Sequence, residues 1–360
     1  MVTSYRLACI PGDGVGPEVI AAGLQVIRRA GEITGRFTIR TTDLPWSCAY
    51  FLEHGVMMPE DGLQVLGNHD AIYLGAVGFP SVPDHVSLRG LLLPIRQGFD
   101  QYVNLRPVRV LDGIPSPLRH GTSKTVDMLC IRENTEGEYA GIGGRFKRNT
   151  PDEVAVQSSI YTRKGVERIG RYAFKRAQQR RNRVASATKS NALQYTALLW
   201  DEVMDELSHE FSDVALTRYH VDALAARFVT EPESLDVVVG SNLYADILTD
   251  LGGALQGSLG LAASANLNPE RKYPSMFEPV HGSAPSIAGR GIANPLAAVW
   301  SASLLLEHLQ EREAAALVMR AVERAAADGP RTPDLGGRAS TQDVTDALLG
   351  ALTKPQPQSV

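Results

Sequence analysis

The chain is poor in cysteine, in long apolar runs and in charge of one sign, and each shortage removes a class of protein. Three cysteines, Cys9, Cys48 and Cys130, occur in 360 residues. An odd count without metal-ligand spacing argues against a disulfide framework. Cys9 and Cys130 lie in the apolar runs Leu-Ala-Cys-Ile and Met-Leu-Cys-Ile, where a reduced thiol packs as a small hydrophobe. No stretch approaches the ~18–20 apolar residues of a membrane span, and Met-Val-Thr-Ser-Tyr-Arg is not a charged leader followed by an apolar core. A cytoplasmic protein is expected. The net charge is only −4 with both signs spread along the chain, so neither nucleic acid nor an anionic membrane is an expected partner. The basic group Lys175, Arg176, Arg180, Arg181 and Arg183 reads as the solvated end of a helix, where cations complement the dipole.

What is present is an ordinary globular composition, 44% hydrophobic and 21% charged, on a chain long enough for two domains. Tyr5–Pro11, Thr38–Leu44 and Asp70–Val77 read as strands, and Pro17–Ala30 as a helix with proline in its first turn. Further strands are expected at Asp127–Ile131, Val154–Tyr161, Val184–Thr188, Val214–Tyr219 and Leu235–Gly240. Helices are expected at Arg163–Gln179, Gln194–Ser208, Leu243–Gln256, Pro295–Leu309 and Glu311–Ala327. The alternation predicts an α/β fold. No repeat and no linker marks a domain border, so the chain can leave a first domain and return to it. The final Lys-Pro-Gln-Pro-Gln-Ser-Val reads as a frayed tail.

The first strand runs into Pro11-Gly-Asp-Gly-Val-Gly-Pro17-Glu18. This is a glycine-rich turn opening a helix, yet Pro17 stands where a dinucleotide fingerprint needs its third glycine. An ordinary Rossmann fold is therefore not expected. A more informative stretch is Asn242-Leu-Tyr-Ala-Asp246-Ile-Leu-Thr-Asp250, where helical spacing puts two acids on one face. Such a pair repels by about 0.2–0.5 kcal/mol, which suggests a divalent cation before it. Asn242 as an N-cap, with Asp246 at the positive helix end, accounts for the first acid without a metal. Asp250 lies a full turn deeper.

Arg96, Arg106 and Arg132 stand in apolar contexts, Leu-Pro-Ile-Arg, Asn-Leu-Arg-Pro and Cys-Ile-Arg-Glu-Asn. Guanidinium forks grip carboxylates two oxygens at a time, and structural ion pairs are the competing explanation. With an acidic metal site they imply a small polyanionic acid. Tyr139 in Glu-Gly-Glu-Tyr and Lys189 in Ala-Thr-Lys-Ser-Asn are candidates for proton transfer.

Read together, Ile-Pro-Gly-Asp-Gly-Val-Gly-Pro-Glu, Val-Asn-Leu-Arg-Pro, Arg-Glu-Asn-Thr-Glu-Gly-Glu-Tyr, Thr-Lys-Ser-Asn, Asn-Leu-Tyr-Ala-Asp-Ile-Leu-Thr-Asp and Phe-Glu-Pro-Val-His-Gly-Ser-Ala-Pro carry a resemblance. The chain resembles the metal-dependent β-decarboxylating dehydrogenases, which include isopropylmalate, isocitrate, tartrate and D-malate dehydrogenases. Met57-Met-Pro59, Val82-Pro-Asp-His-Val-Ser87 and Asn268-Pro-Glu-Arg-Lys-Tyr-Pro-Ser-Met-Phe277 make it most similar to the tartrate/D-malate branch.

The resemblance implies an isopropylmalate-dehydrogenase-like two-domain fold. Residues 1–103 and 262–360 would form a large discontinuous cofactor-binding domain, and 104–261 a smaller central domain with a dimer arm and the metal-binding helix. It implies Asp246 and Asp250 as metal ligands, with Asp222 supplied across a homodimer. Arg96, Arg106 and Arg132 would bind substrate carboxylates, and Tyr139 and Lys189 would form the catalytic pair. His281, Gly282, Ser283, Ala284, Ser286 and Asn294 would hold the cofactor's adenosine end.

The implied cofactors are NAD and Mg²⁺ or Mn²⁺, with a monovalent cation such as K⁺ as a further candidate. The implied reaction is oxidative decarboxylation of a small 2-hydroxy diacid, D-malate to pyruvate and CO₂ or tartrate oxidation. Isopropylmalate dehydrogenation and a non-catalytic regulatory role are the alternatives. Two positions depart from the pattern. Ser286 replaces the aspartate usual in NAD-using relatives, and Arg89 replaces a tryptophan common in the tartrate/D-malate branch.

Overall fold

The computed structural model describes residues 2–353. The tail expectation for 354–360 lies outside them. The described residues form two compact units: one of 2–101, 110–123 and 253–353, the other of 102–109 and 124–252. The sequence reading drew its borders at 103/104 and 261/262; packing draws them at 101/102 and 252/253, and counts 110–123 with the first unit.

The first unit is built on β1 (Thr3–Gly12), β2 (Phe37–Asp43) and β3 (Ala71–Ala76). The strands that follow in sequence, β4 (Val103–Arg109), β5 (Asp127–Glu133), β6 (Gly143–Phe146), β7 (Val154–Gln157), β8 (Arg183–Thr188), β9 (Ala215–His220) and β10 (Val237–Gly240), belong to the second. The chain then returns to the first unit with β11 (Ala263–Leu267) and β12 (Ser275–Pro279). Strand order in the first unit is β2-β1-β3-β12-β11. β1, β2, β3 and β12 pair in parallel and β11 runs antiparallel to β12. β3 is buried along its whole length, as a strand covered on both faces must be. Helix Gly16–Thr34 lies on this sheet with Val19, Ile20, Val26 and Ile27 buried at helical spacing. Burying each contributes roughly 1.5–3 kcal/mol.

In the second unit the order is β4-β5-β10-β8-β9, with only β4–β5 antiparallel. β6 and β7 pair separately as an antiparallel hairpin exposed at every position. It displays Phe146, Val154 and Val156 to solvent, although a lone two-stranded hairpin is marginal in water. No helix among the described residues is long and apolar enough to cross a membrane.

One sequence expectation needs correction. Arg180 and Arg181 are not merely solvated: Arg180 Nε lies 2.7 Å from Asp236 Oδ1, and Arg181 Nη1 3.1 Å from Asp127 Oδ2. They neutralise acids at the starts of β5 and β10, one of them fully buried at its side chain. A buried carboxylate without such a partner is costly. The three cysteines are free and buried.

Candidate active site

In the second unit, antiparallel pairing sets Arg106 opposite Cys130 and Arg132 opposite Asn104. The two arginines are thus diagonal neighbours on one face. Proline after Arg106 holds that residue extended, and both guanidinium side chains are buried, at 9% and 3% exposure. They converge on helix Asn242–Leu255. Arg132 donates through Nε to Asn242 Oδ1 at 2.8 Å and ion-pairs with Asp246 through Nη1. Arg106 donates through Nη1 to Thr249 Oγ1 at 2.6 Å. It also lies 3.5 Å from Asp246 Oδ1 and 3.7 Å from Asp250 Oδ1.

Tyr139, in a short turn of 3-10 helix Glu138–Ala140, joins the same cluster. Its hydroxyl donates to Asp246 Oδ2 at 2.8 Å, and the Arg132 guanidinium lies 5.3 Å from its ring centre. One carboxylate thus meets two arginines and a phenol. Asp250 is the more open of the two acids. Partial loss of water raises its pKa first; Arg106 opposes that rise and the Asp246 charge adds to it.

Lys189 directly follows β8, and its Nζ lies 2.5 Å from Asp222 Oδ1. That bond holds the Asp222 carboxyl below the usual range. Among the described residues no three His, Cys, Asp or Glu side chains gather as metal ligands. The chain therefore brings Asp246 and Asp250 to one helix face and leaves Asp222 beside Lys189. The donor set of the first two fits a divalent cation: hard carboxylate oxygens one helical turn apart, suited to Mg²⁺ or Mn²⁺.

The other expected residues lie in the first unit. Arg96 is buried against Glu278, Nη2 to Oε1 at 2.8 Å, and Asn266 Nδ2 donates to the same oxygen at 2.7 Å. His281 Nδ1 lies 3.0 Å from Gly282 O. Burial lowers the His281 pKa and leaves its Nε2 without a partner. Ser283 is buried, Gly282 and Ser286 are exposed, and Ala284 sits at φ 42°. Asn294 donates to Asp334 Oδ2 at 3.0 Å and accepts from the Leu296 N–H at 3.0 Å. A neutral histidine with an unused ring nitrogen beside exposed Gly282 and Ser286 fits the adenosine end of a dinucleotide. Arg89 is exposed in a wide turn of helix Leu88–Leu92.

Sequence reasoning missed several partners. Asn242 was legible only as a cap, and Thr249 could have been found as the residue three beyond Asp246 on the same face. Glu278 and Asp334 carry no local signal; long-range packing brings them to Arg96 and Asn294.

A family description for isocitrate/isopropylmalate dehydrogenase matches residues 6–348. The chain belongs to this family. A probable tartrate dehydrogenase/decarboxylase of Agrobacterium vitis is 54% identical over 349 residues, covering 97% of this chain and 96% of the relative. D-malate dehydrogenase (decarboxylating) of Escherichia coli strain K12 is 49% identical over 356 residues, covering 97% and 98%. The crystal structure of isocitrate dehydrogenase from Methylococcus capsulatus superposes with TM-score 0.87 at 34% identity, covering 97% of this chain and 99% of that one. The fold is thus of the isocitrate dehydrogenase type, not an ordinary Rossmann topology. Members of the family are divalent-metal and NAD(P)-dependent dehydrogenases.

Proposed function

We propose that the protein oxidatively decarboxylates a small 2-hydroxy diacid, D-malate to pyruvate and CO₂ and tartrate by the same chemistry, with NAD as acceptor. The observation that carries this reading is the meeting of Arg106, Arg132 and the Tyr139 hydroxyl on Asp246. Relatives named for tartrate and D-malate at about half identity support the substrate class.

In this reading Asp246 and Asp250 hold the dication, and Asp222 comes from a second copy of the chain. When bound, the metal makes the C2 hydroxyl acidic and stabilises charge on that oxygen, and NAD accepts the hydride. Arg96, Arg106 and Arg132 fix the carboxylates, so the departing one is oriented before the bond breaks. Lys189 of the second copy and the aspartates beside it receive the proton from the C2 hydroxyl. Tyr139 places a proton on C3 after CO₂ leaves. One proton removed and one delivered balance the reaction.

The exposed apolar hairpin of β6 and β7 supports a homodimer with shared sites. Buried reduced thiols support a cytoplasmic location. Ser286 lacks the carboxylate that would repel a 2′-phosphate, but Ser286-Ile287 stands where NADP-using isocitrate relatives carry a lysine–tyrosine pair, and that absence supports NAD.

The test is a parallel assay of the purified protein with Mn²⁺ or Mg²⁺, NAD or NADP, and D-malate, the tartrate stereoisomers or 3-isopropylmalate. The expected result is the highest kcat/KM with D-malate or a tartrate in the presence of NAD, with pyruvate, CO₂ and NADH formed from D-malate in equal amounts. A clear preference for 3-isopropylmalate, or no reduced cofactor from any of these acids, overturns the reading.

A further inference from the structure

The turn after β1 carries a buried carboxylate that the chemistry above leaves unused. Asp13 is 5% exposed. Its Oδ2 accepts from the N–H groups of Cys48 at 2.9 Å and Gly78 at 3.1 Å, and its Oδ1 from Ala49 at 3.3 Å. Its own N–H donates to Ala76 O at 2.6 Å, and its carbonyl accepts from Gly16 at 2.9 Å. One residue therefore ties together the glycine turn, the start of helix Cys48–His54 and the stretch beyond β3. The backbone amides that such turns and helix starts offer to phosphate elsewhere are here partly answered by the protein's own anion.

A second set of contacts runs from this turn to the loop after β12. The Val15 N–H donates to Ser283 O at 2.8 Å. A Cβ on Gly14, which sits at φ 59°, would fall 1.9 Å from that same oxygen. Turn and loop thus touch backbone to backbone. Ala284 follows directly in a left-handed conformation, which alanine adopts only where its surroundings hold it.

We propose that Asp13 is a positioning residue for the dinucleotide: its carboxylate fixes the glycine turn, Val15 fixes Ser283, and the loop His281–Ala284 is held in its binding form before the cofactor arrives. The proposal rests on reading that loop as the adenosine site. It gives the glycine turn a role other than cradling phosphate: the turn serves as the abutment of a neighbouring loop.

Asp13→Asn keeps the side chain's shape but turns an NH₂ toward amide donors. In the full-length protein, NADH binding followed by its fluorescence should weaken about tenfold, with KM for the dinucleotide rising in step and kcat and KM for the hydroxy acid within about twofold, because lost preorganisation is read in binding. Amide hydrogen exchange over 281–287 should quicken. Gly14→Ala strikes Ser283 without touching the acceptors of Asp13, and should shift NADH affinity the same way. It carries the test if Asp13→Asn does not fold. A folded Asp13→Asn protein that binds NADH as the wild type does, or that loses kcat alone, overturns the proposal. If the wild type itself binds no NADH, the adenosine reading of the loop falls and takes this one with it; an unaffected variant beside a binding wild type sinks the positioning role alone.

Discussion

Asp246 meets two arginines and a phenol, and Tyr139 is the one whose loss leaves charge balance intact. The phenol donates to one carboxylate oxygen, while the arginines supply the compensating charge. Tyr139→Phe should therefore lower kcat by roughly 10²–10⁴, the usual worth of a positioned acid. The midpoint of thermal unfolding should stay near that of the wild type. Steady-state kinetics beside a melting curve checks both, and an unchanged kcat would remove Tyr139 from the proton transfer. At this scale the sequence was most legible where residue type and local context agree. Arg106 and Arg132 read as buried because apolar neighbours surround them. Arg96 read the same way, yet its partner Glu278 lies 182 positions away, a distance over which no local pattern operates.

Elements were legible where hydrophobic period and end signals coincide, as in helix Arg163–Gln178 with Thr162 accepting from the Gly165 N–H. β4, β6, β11 and β12 were not foreseen. β6 consists of Gly-Gly-Arg-Phe exposed throughout, which carries no alternation. β11 and β12 hold small and polar residues that the sheet nevertheless buries. Short helices such as Val221–Thr230, which carries Asp222, also escaped notice.

Helix Asn242–Leu255 was expected, but its tolerance of two consecutive glycines becomes intelligible only in the packed unit. A Cβ on Gly252 would meet Val108 Cγ2 of β4 at 2.6 Å. Gly252→Ala gains about 1 kcal/mol of helix propensity but crowds a stiff β-branched neighbour, an overpacking that costs roughly 1–3 kcal/mol. The net expectation is a less stable protein, measured as a lower denaturant midpoint. A midpoint at or above the wild type's would show that the helix and β4 have room to separate.

For the molecule as a whole, pH dependence follows from groups that change charge on unfolding. His308 ends helix Leu296–His308 beside Phe277, with ring centres 5.6 Å apart. Burial, reinforced by the Arg271 charge, pushes its pKa from 6.5 down to about 4. The unfolded chain takes up the proton first as pH falls. The stability is therefore fully present above pH 6.5 and is lost as pH falls toward about 4, by at most roughly 3 kcal/mol. Urea unfolding at pH 7 and at about pH 5 should show part of this loss in the wild type and less of it in His308→Gln. Equal losses in both would assign the acid sensitivity to other groups. The α/β class was readable at this scale from alternation alone, whereas the borders of the two units depend on contacts that composition does not mark.

Cys9, Cys48 and Cys130 are at most 1% exposed, and burial drives each thiol up to about 12. Alkylating reagents need the thiolate, so the folded chain is silent to them and each sulfur reacts only when its surroundings open. Cys9 and Cys48 report on one unit and Cys130 on the other. The protein thus carries a native chemical clock, able to time the opening of each half without any introduced label.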